Sequence, residues 1–171
     1  MSAQRCATCE AGVIVVCAIL TLVVLSITGF PPKGSRPGLW IKGDVTSTPV
    51  DWSFASKYQT ITVETHPWYL IPHSVTMFFV TYKGNLYLHA DYVNPGDKWP
   101  SGKSWTAAVA RNSKVRIKLG EQVFDGRAVM ATDPAEFEGC LNVFRKKYPK
   151  SRFSDPNRPP GDQWFLRMEP D

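Results

Sequence analysis

Residues 104–120 read SWTAAVARNSKVRIKLG, and this stretch joins a short helix to a strand. Residues 104–112 are predicted to be helical, with Ser104 as the N-cap because a Ser hydroxyl accepts from free backbone N–H groups. From Lys114 to Leu119 apolar and basic residues alternate, so Val115, Ile117 and Leu119 share one face. Strict alternation predicts a strand with one buried and one solvated face.

Strand patterns also dominate the rest of this part of the chain. Five further stretches are rich in alternating, β-branched or aromatic residues: 60–65, 74–82, 86–91, 123–132 and 163–169. A KGN turn at residues 83–85 joins two of them, and a second helix over 133–148 is predicted to be capped by Asp133. Strands joined by hairpins, with two short helices between them, predict a mainly β, α+β fold, a closed or half-closed antiparallel barrel.

The N-terminal part contains a long apolar run. Residues 11–30, AGVIVVCAILTLVVLSITGF, carry no charge. Twenty residues of helix span about 30 Å of hydrocarbon, which predicts one transmembrane helix. A cleaved signal peptide and a buried core helix are the alternatives, but the run is longer than the usual signal h-region of about 7–15 residues.

Charge is unevenly distributed around this run. Arg5 and Glu10 cancel before it, whereas three basic residues follow it: Lys33, Arg36 and Lys42. This excess suits anionic lipid headgroups and predicts that the C-terminal domain lies in the cytoplasm. Beyond Gly43 the chain has 16 Lys and Arg against 14 Asp and Glu. The net charge of +5 is therefore not a broad basic face, and no nucleic-acid partner is expected.

The predicted organisation has four parts. Residues 1–10 form a tail, residues 11–30 the transmembrane helix, residues 31–49 a Pro- and Gly-rich linker, and residues 50–171 the barrel domain. The linker is predicted because this segment has no hydrophobic period. Cys6 and Cys9 form a C-x-x-C without a second pair, and the three His are scattered, so no metal site is predicted.

The SGKS sequence at residues 101–104 resembles the end of a nucleotide-binding Walker A loop. A Walker A loop needs four residues between its two glycines, but five separate Gly96 from Gly102. Pro100 also removes one of the backbone N–H donors that would hold a phosphate. A nucleoside triphosphate site is therefore not predicted here.

The order of these elements resembles the split β-barrel flavin-binding superfamily, which includes pyridoxamine-phosphate oxidase-like proteins. It is most similar to the deazaflavin (F420)-dependent nitroreductase-like family. In that family, a Trp in the short helix lies seven residues before the Asn that begins an N-P-x-V-x-[IV] motif. Trp105 and Asn112 have this spacing, and Ser113 replaces the Pro. The hairpin VTMFFVTYKGNLYLHAD, preceded by Pro72, resembles the family pattern that ends in D-G-x-L-Y-V. The resemblance covers about residues 51–170 and implies an antiparallel split β-barrel.

The resemblance also implies a cofactor, FMN or the deazaflavin F420. In the family, basic and hydroxyl side chains from a strand pair and from the loop before the short helix hold the phosphate. The corresponding loop residues are Lys98, Ser101, Lys103 and Ser104, and the residues implied at the isoalloxazine edge are His73, Ser74 and Thr76. Family members are commonly homodimers, and the FFV run at residues 78–80 fits a strand buried at such an interface.

The implied function is that of a membrane-anchored flavin- or deazaflavin-binding reductase, similar to nitroreductases and quinone reductases. The chain departs from the family before the second strand, where VETHPWYLIPHS replaces a stretch that normally carries an Arg. This departure favours the alternative, a non-catalytic membrane-tethered β-barrel that serves as a binding or assembly module without a cofactor. Three aromatic residues are candidates to stack on a planar ring or to line a dimer groove: Trp68, Tyr69 and Trp99.

Overall fold

The computed structural model describes residues 4–69, 71–91, 98–156 and 163–171. Its elements are α1 (Gln4–Thr28), β1 (Val45–Thr46), β2 (Ile61–Thr65), β3 (His73–Met77), β4 (Phe79–Tyr82), β5 (Asn85–Asp91), α2 (Ser104–Arg111), β6 (Lys114–Leu119), β7 (Gln122–Met130), α3 (Pro134–Lys147) and β8 (Gln163–Glu169). Short 3-10 turns lie at Ser53–Lys57 and Arg152–Ser154.

The strands form one curled sheet in the order β3-β2-β6-β7-β8-β5-β4, and β1 pairs with β7. All pairs on the main path are antiparallel, whereas the short β1–β7 pair is parallel. The two end strands, β3 and β4, follow each other in the chain with only Phe78 between them. The sheet therefore curls into a half-barrel, which confirms the predicted fold class.

The single strand predicted over residues 74–82 is wrong, because the chain breaks it at Phe78. The Phe78 carbonyl accepts from His89 N at 3.1 Å instead of continuing a regular ladder, and β4 then pairs with β5. The predicted hairpin turn is present. Lys83 and Gly84 have φ of 48° and 78°, which are the left-handed values that a tight two-residue hairpin turn requires.

Two buried clusters hold the half-barrel together. The larger cluster fills its interior, and α2 closes one side by inserting Trp105 and Val109. The smaller cluster lies under α3, where Cys140 and Phe144 pack against Phe165.

As predicted, Asp133 caps α3 by accepting from Ala135 N at 3.0 Å. The predicted Ser104 cap is wrong: Lys103 occupies the N-cap position of α2 without a side-chain cap bond, and Ser104 is the first helical residue.

Helix α1 contains a segment, Glu10–Thr28, that is long and apolar enough to cross a membrane, and none of that segment is buried. It begins earlier than the predicted residue 11, and its first residues coincide with the predicted tail.

The segment after α1 packs onto the sheet. We call residues 30–40 the juxtamembrane hairpin, since they follow the helix predicted to cross a membrane and since Phe30 N donates to Trp40 O at 3.0 Å. Gly38 forms two backbone hydrogen bonds with Ser74 on the edge of β3, at 2.8 and 2.9 Å. Ile41 is buried, and its N–H donates to Glu64. Part of the segment predicted as a linker thus contacts the sheet.

Candidate functional site

A cleft of about 460 Å³ lies beside β3, the strand at one end of the sheet. The ends of β3 and β5 and the start of α2 form part of its wall. The juxtamembrane hairpin and the 3-10 turn at Arg152–Ser154 form the rest. Its lining residues are Gly34, Ser35, Arg36, Pro37, Thr60, Val75, Thr76, Met77, Phe78, His89, Asp91, Lys103, Trp105, Arg152 and Phe153. Clefts of this size hold small organic ligands in many proteins.

One side of the cleft is apolar and aromatic. Val75 and Met77 face the interior cluster from β3, and Trp105 closes the end near α2. Phe78 is 36% exposed, and its ring lies 4.5 Å from that of Tyr148. The Phe153 ring also lines the cleft, and the guanidinium of Arg152 lies 4.6 Å from the centroid of that ring. These surfaces can bury a flat ring system.

The other side carries three basic residues and one acid. Lys103 and Arg152 both contact Asp91, the latter at 3.7 Å, whereas Arg36 reaches the cleft from the juxtamembrane hairpin. Asp91 is buried at the end of β5. Among the lining residues that the structure describes, one acid stands against three cations, which leaves these residues with a surplus of positive charge. Such a surplus attracts phosphate or carboxylate groups.

His89 has a structural position at the back of the cleft. It is 4% exposed, and its ring stacks on Phe144 at 4.2 Å. Its Nε2 shares a hydrogen bond of 2.9 Å with the Gln163 amide oxygen. These contacts tie β5 to β8 and α3, so His89 supports the wall of the cleft.

The loop before α2 brings Lys103 to the cleft. Thr106 Oγ1 donates to the carbonyls of Pro100 and Lys103, both at 2.7 Å, which folds the loop back onto the first turn of the helix. Lys103 has an extended backbone, and its ammonium contacts Asp91. The other predicted loop residues are exposed and do not line the cleft: Lys98, Ser101 and Ser104.

The three β3 residues predicted to contact the cofactor have different environments in the structure. Thr76 is exposed and lines the cleft. Ser74 is fully buried beneath Gly38 of the juxtamembrane hairpin, and its hydroxyl has no hydrogen-bond partner among the described residues. His73 is half-buried near the other end of β3, and burial lowers the pKa of its imidazole. Of the seven predicted residues, the structure therefore brings Thr76 and Lys103 together at the cleft.

The aromatic candidates also have different environments. Trp68 and Tyr69 are exposed and pack edge to face against each other at 5.6 Å. Trp99 is partly buried and packs on Trp164 at 5.5 Å. In the FFV run, Phe79 and Val80 are buried inside their own chain, so these two side chains are not available to a partner subunit.

Sequence reasoning missed Asp91, Arg36 and Arg152 as residues of the cleft. Asp91 ends a predicted strand, and Arg36 lies in a segment without periodicity. Neither position carries a motif, and the curled sheet is what brings both residues to one cleft. The signal for Asp91 is the acid itself, because an acid at a strand end next to a basic loop favours an ion pair.

A second, smaller cleft of about 290 Å³ lies on the outer face of β2, β6 and β7. Arg116 donates two hydrogen bonds to Asp125, at 2.7 and 2.8 Å, and these bonds lower the pKa of the Asp125 carboxyl. Burial raises the pKa of Glu64 nearby. Within the described ranges, no group of three His, Cys, Asp or Glu residues is arranged to hold a metal ion.

Comparisons with known proteins identify the fold. No protein-family model matches the sequence, and no curated protein matches it. Among solved structures, the chain is similar to a candidate pyridoxamine 5'-phosphate oxidase of Listeria innocua, with 15% identity and a TM-score of 0.50 over 70% of this chain and 89% of that one.

Two other solved structures are similarly related. A conserved hypothetical protein of Mycobacterium tuberculosis is 17% identical, with a TM-score of 0.50 over 76% of this chain and 86% of that one. The heme storage protein HutZ of Vibrio cholerae is 14% identical, with a TM-score of 0.50 over 69% and 85%. At these identities the likeness concerns the fold. It confirms the predicted antiparallel split β-barrel fold.

Proposed function

We propose that this chain is a membrane-anchored split-barrel protein that binds a flavin-type cofactor, FMN or F420, in the cleft beside β3 and acts as a reductase. The observation that carries the proposal is that the lining of that cleft combines apolar and aromatic side chains with basic ones. A flavin-type cofactor presents matching groups, since it joins a flat ring to a phosphate-bearing chain. The fold relatives add only that the architecture is compatible.

The residues present fit such a group. Val75, Met77 and Phe78 would cover the ring, and Lys103 with Thr76 would donate to the phosphate. When bound, the cofactor supplies hydride transfer. The protein's own residues would orient the ring, hold the anionic chain and exclude water from the apolar side. Of the loop predicted to hold the phosphate, Lys103 remains the strongest candidate because its ammonium lies at the cleft.

The test uses the full chain in mild detergent, because the juxtamembrane hairpin forms part of the cleft. The purified protein is examined for flavin absorbance that persists through desalting, and is then titrated with FMN, FAD and F420. Binding of one of them, followed by reduction of a nitroaromatic or quinone acceptor, supports the proposal. A colourless protein that binds none of the three contradicts it.

The alternative is a non-catalytic split-barrel module without a flavin. The observation that favours it is the contact between Lys103 and Asp91, which engages the cation expected to meet a phosphate. HutZ, a fold relative, is described as a heme storage protein. A parallel titration with hemin therefore separates a different cofactor from no cofactor.

Membrane anchoring and topology belong to the same proposal. Helix α1 would cross the bilayer, and Lys33, Arg36 and Lys42 would keep the barrel in the cytoplasm. Resistance of the expressed protein to alkaline carbonate extraction tests the anchor against a cleaved signal peptide. Fusions of a periplasm-active and a cytoplasm-active reporter to the C-terminus test the orientation.

We also propose a homodimer, on the resemblance to the family. Because Phe79 and Val80 are buried within the chain, the exposed Trp68 and Tyr69 are the better candidates for the interface. Light scattering of the detergent-solubilised chain measures its mass, and Trp68→Ser with Tyr69→Ser should shift a dimer to a monomer. A wild-type monomer at micromolar concentration would contradict the dimer.

A further inference from the structure

The segment that follows α1 contributes a wall of the candidate cofactor cleft. Residues 34–37, at the tip of the juxtamembrane hairpin, line it together with β3 and α2. Arg36 is the basic residue of this tip. The hairpin thus brings a basic residue to the cleft from a part of the chain distant in sequence from β3 and α2.

Backbone hydrogen bonds fix the hairpin against the barrel. At its tip, Lys33 and Arg36 exchange two bonds, each 3.1 Å long. Two residues further on, Gly38 exchanges bonds of 2.8 and 2.9 Å with Ser74 of β3. A Cβ at Gly38 would lie 2.4 Å from the Phe30 carbonyl oxygen, so the two arms of the hairpin approach too closely for any side chain there. Arg36 is thus held on a braced turn.

The three cations of the cleft differ in their partners. Lys103 and Arg152 both contact the buried carboxylate of Asp91. The Arg36 guanidinium has no hydrogen bond or ion pair with any residue of the described ranges, and only its backbone is bonded. A guanidinium presents five donors in a planar fork that matches phosphate and carboxylate oxygens. Among the described residues, Arg36 is therefore the cation of the cleft whose guanidinium donors are not engaged by another side chain.

We infer that Arg36 binds the phosphate of the cofactor, so that the membrane-proximal hairpin completes the cofactor site. The inference rests on the proposed function, since it assigns a residue to the same cleft. It has a direct consequence: the barrel alone, beginning at residue 44, lacks Arg36 and should bind the cofactor more weakly than the full chain. Cofactor binding would also brace the hairpin against β3.

The experiment compares Arg36→Gln and Arg36→Lys with wild type, all as full chains in the same detergent. FMN and riboflavin, which lacks the phosphate, are titrated by the quenching of flavin fluorescence. Lys33→Gln is the matched control, because Lys33 lies on the same hairpin, carries the same charge and does not line the cleft. Arg36→Gln should weaken FMN binding about tenfold, as expected for a lost charge-assisted hydrogen bond. Arg36→Lys should recover part of this loss.

The control measurements separate a specific role of Arg36 from a general effect of charge. Riboflavin affinity should be the same in all variants, and Lys33→Gln should bind FMN within about twofold of wild type. Equal FMN affinity in Arg36→Gln and wild type overturns the role of Arg36 and leaves the proposed function standing. An equal loss in Arg36→Gln and Lys33→Gln also overturns it, because only general electrostatics would then act. A wild type that binds no FMN and no F420 overturns both proposals.

Discussion

Lys103 donates a hydrogen bond to Asp91, and the Asp91 side chain, 9% exposed, also faces Arg152 at 3.7 Å. The cation that sequence reasoning assigned to a phosphate therefore already has an acidic partner. An incoming phosphate must share Lys103 with that carboxylate and is repelled by it. The Asp91 carboxylate thereby weakens the electrostatic attraction between the cleft and an anionic ligand.

Replacing Asp91 should strengthen the binding of anionic ligands. Asp91→Asn removes the competing charge and keeps the shape, so FMN should bind about three- to tenfold more tightly at low salt, with a smaller gain at high salt. Lys103→Ala should weaken FMN binding about tenfold. Titrations with FMN at two ionic strengths measure both changes.

Riboflavin is the control ligand for both variants, since it has no phosphate for Lys103 to contact. Its affinity should change less than twofold. If Lys103→Ala weakens riboflavin as much as FMN, Lys103 acts through the packing of the loop before α2. If Asp91→Asn leaves FMN affinity unchanged at low salt, the phosphate lies elsewhere.

The contact between Glu64 and Ile41 anchors the juxtamembrane segment. Glu64 Oε2 accepts from the Ile41 backbone N–H at 2.5 Å, and both residues are buried. Glu64→Ala leaves that N–H without its partner, which should cost about 1–3 kcal/mol. Glu64→Gln keeps an acceptor and should cost less. Thermal unfolding of the full chain in detergent measures the order: wild type and Glu64→Gln above Glu64→Ala.

Glu64 also predicts a pH dependence. Burial raises the pKa of its carboxyl above 4.5, so the folded state binds its proton more tightly than the unfolded state does. The stability that this group contributes is present below about pH 4.5 and is lost as the pH rises through the folded pKa. The stability of wild type relative to Glu64→Gln should therefore fall between pH 4.5 and neutrality. If the stability difference between wild type and Glu64→Gln does not change with pH, the hydrogen bond from the Ile41 N–H fully offsets the effect of burial on the pKa of Glu64.

Gly126 lets β7 and β8 approach each other closely. A Cβ there would lie 2.5 Å from the Glu169 carbonyl oxygen and 3.0 Å from Met168 Cε. Gly→Ala at an unstrained position stabilises by about 0.4–1 kcal/mol through the unfolded chain. Here the collision with backbone outweighs that gain, and Gly126→Ala should destabilise by about 1–3 kcal/mol. The melting temperature should fall by several degrees, whereas Arg127→Ala, an exposed neighbour, should change it little.

The sequence predicted the barrel better than it predicted the cleft, for a physical reason. Alternation over residues 114–119 and the helix from Asp133 depend on local spacing, and both are present. The break at Phe78 carries no local signal, because Phe suits a continuous strand as well as a corner. The corner forms where the sheet must curl, and that is a property of all its strands together.

The cleft depends on contacts between distant parts of the chain. Arg36 and Asp91 are 55 positions apart, and only the Gly38–Ser74 bridge and the end of β5 bring them to one surface. The Pro- and Gly-rich composition around Arg36 predicted a linker, since no apolar period marks it. Backbone pairing with an edge strand needs no such period. Ser74 shows the opposite error: a strand hydroxyl predicted to face a ligand is covered by that same hairpin.

Lys147 should make stability rise with pH in the alkaline range. Burial at the end of α3 lowers its pKa from 10.5 to about 8. Between pH 8 and 10.5 the unfolded state therefore holds a proton that the folded state releases, and stability increases as the pH rises. The shift corresponds to about 3 kcal/mol. The Lys147 ammonium lies 3.6 Å from the centroid of the Phe79 ring, and this cation–π contact offsets about 0.5–2 kcal/mol, so a net rise of about 1–3 kcal/mol is expected.

Lys147→Met removes the titrating group, so it should lack the contribution that Lys147 makes in wild type, and the stability difference between the two chains should grow from pH 8 to 10. Lys146→Met is the matched control, because Lys146 is the exposed neighbour on the same turn and its replacement should leave the wild-type rise intact. Thermal unfolding of the three full chains at pH 7, 8, 9 and 10 measures the difference. The difference between the chains is the quantity compared, because burial raises the pKa of Cys140 and that of Tyr148 to about 12, which lowers the stability of all three chains above about pH 9 and pH 10, respectively. Measurements therefore stop at pH 10. Parallel curves for wild type and Lys147→Met would show that the Phe79 contact cancels the cost of burying the charge.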